Sequence, residues 1–125
     1  MDRDSSLRKR RVLLVDDEPM LLRSVARYLE LLGWDVVSCA DGGQGREAAR
    51  GGAFDAIVAD LDLPTLAGTE LVDSLRDLQP APRLVITSGH ADLLLQWRQA
   101  SPVPVAVLPK PYAMEELMRI IGGPV

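Results

Sequence analysis

Short apolar runs recur along the chain, and each ends at a polar or chain-breaking residue. The clearest is the run 56–59, which leads directly into Asp60 and is followed by Asp62 and Pro64. Continuous apolar runs of this length are typical of strands that are buried on both faces of a parallel sheet. The five predicted strands are 12–15, 34–40, 54–60, 84–88 and 103–108.

Segments with helical spacing of apolar residues alternate with these runs. Between Met20 and Leu32 the apolar side chains recur every three or four residues, which is the spacing of one helix face. Gly33 is a suitable helix stop, and Asp41 a suitable cap for the next helix. The four other predicted helices span 42–50, 68–78, 91–100 and 114–121.

The strict alternation of strands and helices predicts an α/β fold. Such a pattern builds a doubly wound parallel sheet with helices on both faces. Right-handed crossovers limit the topologies, and for five strands the flavodoxin-like order 2-1-3-4-5 is the common solution. Its switch point, where ligands bind, lies between strands 1 and 3.

Composition restricts the class of protein. The chain has 125 residues, of which 47% are apolar and 4% aromatic, so one domain with a largely aliphatic core is expected. The net charge of -4 argues against direct contact with nucleic acid. The basic run 8–11 is interpreted as a solvated tail, and the single Cys39 excludes an internal disulfide.

No stretch approaches the roughly 20 apolar residues of a membrane span, and the N-terminus lacks the apolar core of a signal peptide. A cytoplasmic protein without membrane contact is therefore expected. The predicted boundaries are a basic tail at 1–10, a domain at 11–121, and an end or linker start at 122–125. Met1 favours an N-terminal position, and the sequence leaves open what followed Val125.

Three carboxylates meet at the predicted switch point. Asp16 and Asp17 follow strand 1 and Asp60 ends strand 3, and neighbouring strands lie about 4.8 Å apart. Clustered carboxylates repel one another unless a cation compensates, and Mg²⁺ suits a few carboxylates together with a phosphoryl oxygen. Ser88 and Lys110 end strands 4 and 5, and a hydroxyl and an ammonium both favour a phosphoryl group. Asp60 is therefore predicted to be the nucleophile that forms an aspartyl-phosphate.

Together these positions resemble the receiver domain of two-component response regulators of the chemotaxis-regulator type. The resemblance rests on Asp16-Asp17, the run 60–64 with Gly68, Ser88-Gly89 and Lys110-Pro111, and it covers nearly the whole chain. It implies a phosphoacceptor signalling domain and not an enzyme, beyond self-phosphorylation from small donors and self-dephosphorylation. A histidine kinase or histidine phosphotransfer protein would phosphorylate Asp60, and an unknown partner or output module would respond. A phosphorylation-dependent dimer is a further expectation.

The resemblance also implies a role for each matching residue. Asp17 would bind Mg²⁺ directly, with Asp16 supporting it partly through water, and Asp62 would offer its backbone carbonyl. The side chain of Asp62 is a separate question, and it is expected to point outward. Ser88 would hydrogen-bond the phosphoryl oxygen and Lys110 would pair with it. The Lys110-Pro111 peptide bond would be cis.

The sequence departs from the family pattern at one side-chain position and in one turn. Val107 stands where the family usually has an aromatic residue that changes rotamer with the hydroxyl residue. Pro102 and Pro104 also replace the usual turn before strand 5 and should stiffen it. These changes suggest that the domain signals through a surface other than helix 4, strand 5 and helix 5, or with a muted change there.

Two other functions remain open at this point. The first is a receiver-like interaction module that is never phosphorylated, which the missing aromatic residue favours. The second is a haloacid-dehalogenase-type phosphatase, because the run 60–62 resembles the start of its Asp-x-Asp-x-Thr motif. That motif belongs on the first strand of its fold, and here Pro64 occupies its fifth position.

Overall fold

A parallel sheet forms the centre of the fold. The computed structural model describes residues 9–63, 68–101 and 103–122. Its strands follow the order β2-β1-β3-β4-β5, so the predicted fold class and strand order are confirmed. The strands are β1 (Arg11–Val15), β2 (Asp35–Cys39), β3 (Ala56–Asp60), β4 (Arg83–Ser88) and β5 (Ala106–Pro109). All five residues of the central β3 are buried, as its apolar run predicts.

The helices cover both faces of this sheet. They are α1 (Pro19–Leu31), α2 (Gly42–Gly51), α3 (Gly68–Ser74), α4 (Ala91–Ala100) and α5 (Met114–Ile121). Successive strand residues point to opposite faces, so Val12 and Leu14 pack with α1 and α5. Leu13 and Val15 pack on the other side with α2, α3 and α4. Two separate apolar layers therefore hold the sheet rigid between them.

The ends of the first two helices follow local chemistry. Gly33 has a positive φ of 100°, a conformation that glycine adopts without strain, and α1 stops just before it. The backbone N–H of Gln44 donates to Asp41 Oδ1 over 2.8 Å, so Asp41 caps α2 as predicted. A Cβ on Gly45 would lie 2.7 Å from a methyl carbon of Val15, so glycine is needed for α2 to approach β1.

Several predicted boundaries were wrong, all near element ends. Strand β5 begins at Ala106 and not at 103, because the Ser101 hydroxyl bonds the backbone of Val103 and holds that segment in a turn. Helix α3 ends at Ser74 and not near 78, and the chain continues in tight turns that keep Leu75 buried. Strand β3 starts at Ala56, two residues later than predicted.

The basic run before the sheet is not merely solvated, which corrects its interpretation. Arg11 belongs to β1, and its Nε lies 2.9 Å from Asp35 Oδ2 while its guanidinium stacks 4.6 Å from the Phe54 ring centre. Arg10 donates to the carbonyl of Gly122 over 3.0 Å and lies over the ring of Trp34. Both arginines therefore tie the amino-terminal edge of the sheet together. The domain boundaries at 10 and 121 stay predictions.

Candidate functional site

The carboxyl-terminal edge of the sheet collects the predicted side chains. Val15 pairs with Ala59 in the ladder, so Asp16 and Asp60 leave adjacent strands at the same height. Asp60 in turn pairs with Thr87. The backbone N–H of Lys110 donates to the carbonyl of Ser88 over 2.8 Å, which places the ends of β4 and β5 side by side. The topology therefore brings all four strand ends to one site.

Lys110 is the centre of this site. Its Nζ lies 2.9 Å from Asp16 Oδ2, 2.5 Å from Glu18 Oε2 and 3.1 Å from Asp60 Oδ2. The Lys110 side chain is only 13% exposed, and Asp16 and Asp60 are buried. One ammonium group thus contacts two buried carboxylates, where electrostatic interactions are strong, and the exposed carboxylate of Glu18.

The backbone fixes the other oxygen of the two buried carboxylates. Asp16 Oδ1 accepts the backbone N–H of Glu18 over 2.9 Å. Asp60 Oδ1 accepts the backbone N–H of Asp62 over 3.1 Å. In both residues one oxygen faces the main chain and the other faces Lys110, so the orientation of each carboxylate is defined on both sides.

A metal ion fits the donor set of this edge. Ligand oxygens of Asp16, Asp17 and Asp60 all lie within 4.8 Å of one another, and Asp17 is exposed to solvent. Three carboxylates, those of Asp16, Glu18 and Asp60, contact the ammonium of Lys110, and Asp17 adds a further carboxylate beside Asp16 and Asp60. Hard divalent cations such as Mg²⁺ bind through such oxygen ligands and would offset the surplus negative charge.

Burial and neighbouring charges together shift the pKa values of several groups at this edge. Burial raises the pKa of the Asp16 carboxyl, although the Glu18 backbone N–H and Lys110 partly offset the effect. Burial alone would lower the pKa of Lys110, but its hydrogen bonds to Glu18, Asp16 and Asp60 raise it well above its usual value. Burial, assisted by the charge of Asp16, also raises the pKa of Tyr112 to about 12. Lys110 is therefore cationic and Tyr112 neutral at physiological pH.

The side chain of Asp62 is exposed and also accepts a hydrogen bond from the end of β4. Its side chain is 49% exposed, yet Asp62 Oδ2 accepts a hydrogen bond from Ser88 Oγ over 3.0 Å. The Ser88 side chain is fully buried, and its oxygen also accepts the backbone N–H of His90 over 3.0 Å. The exposed side chain agrees with the prediction, and the contact with Ser88 arises because a turn residue two positions after β3 is close enough to reach the end of β4.

Glu18 and Tyr112 are the functional-site residues that sequence reasoning missed. Both line an open cavity of about 610 Å³ together with Asp17, Asp60 and Lys110. Glu18 directly follows the acidic pair, and Tyr112 directly follows Lys110-Pro111, so proximity in sequence to the motif residues was the available signal.

The other predicted positions do not form one group. The Lys110-Pro111 peptide bond is cis. Val107 is half-buried and packs in the apolar layer of α2, α3 and α4, opposite the layer that holds Tyr112. Pro64 and Pro102 lie outside the described residues.

Comparison with known proteins identifies the family to which these features correspond. The family model described as the response regulator receiver domain matches residues 12–122. Among curated proteins, the chain is 34% identical over 109 residues to the transcriptional activator protein PfeR of Pseudomonas aeruginosa, covering 86% of this chain and 35% of that protein. The chain spans less than half the length of the first curated relatives it matches.

Solved structures agree with the family model. A response regulator receiver protein from Sinorhizobium medicae is 29% identical with a TM-score of 0.82, and the match covers 92% of this chain and 93% of that one. The receiver domain of a sensor histidine kinase from Pseudomonas aeruginosa is 28% identical with a TM-score of 0.78, covering 90% and 94%. That domain was crystallised with a magnesium ion coordinated in its active-site cleft.

Proposed function

This chain belongs to the response regulator receiver domain family, and on that premise we propose that Asp60 is its phosphoacceptor. Receiver domains are phosphoacceptor modules of two-component signalling, phosphorylated by histidine kinases or phosphotransfer proteins. The observation that carries the assignment to Asp60 is its place at the end of the central strand, where it contacts Lys110 and borders the cavity.

The proposed reaction is transfer of a phosphoryl group from a phosphohistidine. A carboxylate oxygen of Asp60 attacks phosphorus, the P–N bond breaks, and the imidazole of the donor leaves with its electron pair and takes up a proton. The product is an acyl phosphate on Asp60. The cavity of about 610 Å³ opens beside this carboxylate and offers the donor a way in.

Mg²⁺ is the cofactor that fits the donor set. The carboxylates of Asp16, Asp17 and Asp60 would hold it, with the backbone carbonyl of Asp62 as a further ligand. When bound, the ion supplies positive charge that offsets the surplus of carboxylates and the charge of the transferred group. Lys110 contributes a second positive charge and already contacts Asp60 Oδ2 at 3.1 Å.

Phosphorylation would act as a switch through these same contacts. The modification adds negative charge and acceptor oxygens beside Lys110, and Ser88 is the hydroxyl that would donate to them. Phosphorylation shifts a conformational equilibrium only as far as it favours one state over the other. Val107 offers no polar atom and no aromatic ring to follow Ser88, so the change at β5 is expected to be muted.

What responds to phosphorylation of this domain stays a prediction. Its partner or output module, a phosphorylation-dependent dimer and a cytoplasmic location stay predictions. Among the described residues no helix is both long enough and apolar enough to cross a membrane. The dehalogenase-type alternative gains no support, because its motif lies on β3 of this sheet and not on the first strand.

Intact mass after incubation with Mg²⁺ and acetyl phosphate tests the proposal. We expect one phosphate on the wild-type chain, dependent on Mg²⁺ and labile to base. Asp60→Asn should abolish it, whereas Asp55→Asn, which changes the carboxylate just before the other end of β3, should retain it. A phosphate that persists in Asp60→Asn would reject the assignment. No phosphate on the wild type, even with phosphoramidate, would favour the unphosphorylated interaction module.

A further inference from the structure

The proton of the Ser88 hydroxyl already takes part in a hydrogen bond in the described structure. It donates to Asp62 Oδ2 over 3.0 Å and accepts the backbone N–H of His90 over 3.0 Å. A serine hydroxyl has a single proton to donate. Ser88 can therefore donate to a new acceptor only after it releases Asp62.

Asp62 is well placed to hold that proton. Its own backbone N–H donates to Asp60 Oδ1 over 3.1 Å, which fixes the turn that carries its side chain. Among the described ion pairs, Lys110 serves Asp16, Glu18 and Asp60 but not Asp62. The nearest recorded basic side chain is that of the exposed His90, whose Nδ1 lies 3.6 Å from Asp62 Oδ2. The Asp62 carboxylate thus keeps most of its acceptor strength for Ser88.

We infer that Asp62 is a positioning residue that holds the Ser88 hydroxyl in the unmodified protein and competes for it with a phosphoryl group on Asp60. This inference rests on the proposed function of Asp60. The phosphorylated domain then populates two arrangements, one with Ser88 donating to Asp62 and one with Ser88 donating to the phosphoryl group. Asp62 sets the ratio between them.

The chemistry of the two acceptors gives the direction of the effect. Both are anionic, and hydrogen bonds to ionised acceptors are roughly twice as strong as neutral ones. Replacing Asp62 by an apolar residue removes one competitor completely. A hydrogen bond to a charged group typically contributes enough to shift an equilibrium tenfold or more. The ratio of the arrangement with Ser88 donating to the phosphoryl group over that with Ser88 donating to residue 62 should therefore rise at least about tenfold.

The backbone N–H of His90 reports directly where the hydroxyl is. It donates to Ser88 Oγ in the unmodified protein, so its NMR amide resonance should move when Ser88 rotates away. Ser88→Ala gives the reference position of this signal without the bond. Asp62→Asn keeps an oxygen acceptor and removes the charge, and Asp62→Ala removes both.

The test compares this resonance before and after phosphorylation, with phosphate occupancy measured by intact mass. In the unmodified protein, Asp62→Ala should move the His90 signal toward the Ser88→Ala position, and Asp62→Asn should move it less. At equal phosphate occupancy, the His90 signal of phosphorylated wild type should lie partway to the Ser88→Ala position. The signal of Asp62→Asn should lie closer to that position, and the signal of Asp62→Ala closest. Asp92→Asn, an exposed carboxylate in the first turn of α4, should behave as wild type.

Two results would overturn the inference while leaving Asp60 as the phosphoacceptor. One is a His90 signal that coincides in wild type, Asp62→Asn and Asp62→Ala at full phosphate occupancy. The other is an equal movement in Asp92→Asn, which would reveal a general charge effect. Absence of phosphate on the wild type would instead reject the proposed function, and the inference with it.

Discussion

The two edges of the sheet both carry a basic side chain among carboxylates, yet the charges are arranged differently. At the carboxyl-terminal edge the nearly buried Lys110 contacts Asp16, Glu18 and Asp60. At the amino-terminal edge Arg11 pairs with Asp35, with side chains 34% and 50% exposed. The first edge has a surplus of buried negative charge, and the second a balanced pair in solvent.

This difference marks the functional edge better than cavity size does. A larger cavity of about 770 Å³ lies toward the amino-terminal edge, lined by residues such as Asp55, Arg83 and Ala106. The cavity beside Asp60 measures about 610 Å³. Ion pairs exposed to water contribute little, whereas clustered buried carboxylates are costly unless a cation binds. The surplus of buried carboxylates at the carboxyl-terminal edge therefore indicates a ligand-binding role for that edge.

The largest expected effect is the loss of stability when the ammonium group of Lys110 is removed from the functional edge. Lys110→Met keeps the length of the side chain but leaves the carboxylates of Asp16 and Asp60 buried without their partner. We expect a loss of about 3 kcal/mol in the free energy of unfolding at pH 7, since breaking a buried pair on one side costs about that much. Urea denaturation measures it. A loss below about 1 kcal/mol would place Lys110 in the same class as Arg11.

Magnesium should act on the same edge with a slightly smaller effect. An ion that binds only the folded chain stabilises it by about 2.7 kcal/mol at a concentration of 100 times Kd. Asp17→Asn removes one carboxylate and should raise the Kd at least about tenfold, by analogy with the losses seen for supporting ligands. Thermal unfolding across a Mg²⁺ titration gives both values. Asp35→Asn at the other edge is the control, and an equal change there would contradict a site-specific effect.

Much of this contrast could be predicted from sequence, because it follows from strand ends. The alternation of apolar runs and helical segments defines the topology, and the topology alone brings Asp16, Asp60 and Lys110 together. The contacts of Glu18 and Asp62 could not be predicted in this way. They depend on side-chain directions in turns, which periodicity does not describe. Arg10 and Arg11 were misjudged because composition does not reveal an arginine that stacks on an aromatic ring.

The two edges can also be compared by the space around one glycine near each of them, Gly45 and Gly52. Ala at position 45 would place its Cβ 2.7 and 2.9 Å from the two methyl carbons of Val15, a β-branched side chain that cannot easily rotate away. Overpacking of this kind costs about 1–3 kcal/mol, which exceeds the gain of up to about 1 kcal/mol in helix propensity. Gly45→Ala should therefore lower the free energy of unfolding.

Gly52→Ala is its matched control at the amino-terminal edge. Its Cβ would lie 3.0 Å from the Phe54 ring and 3.1 Å from Arg11 Nη1, and the tip of an arginine can move. We expect a change within about 0.5 kcal/mol, as for most substitutions away from tightly packed sites. Denaturation of both variants in parallel checks the difference. A larger loss for Gly52→Ala than for Gly45→Ala would show that the amino-terminal edge is the more tightly packed one.

The smaller of the two charge effects is expected on loss of Arg11, the arginine of the balanced edge. Arg11→Met removes the contact with Asp35 and the stacking on Phe54, and exposed pairs of both kinds contribute about 0.5–1 kcal/mol. The loss should shrink in 1 M salt, which screens charges beyond about 3 Å. A double-mutant cycle with Asp35→Asn isolates the ion pair from the stacking. If Arg11→Met proved as costly as Lys110→Met and insensitive to salt, charge surplus would no longer separate the functional edge from the structural one.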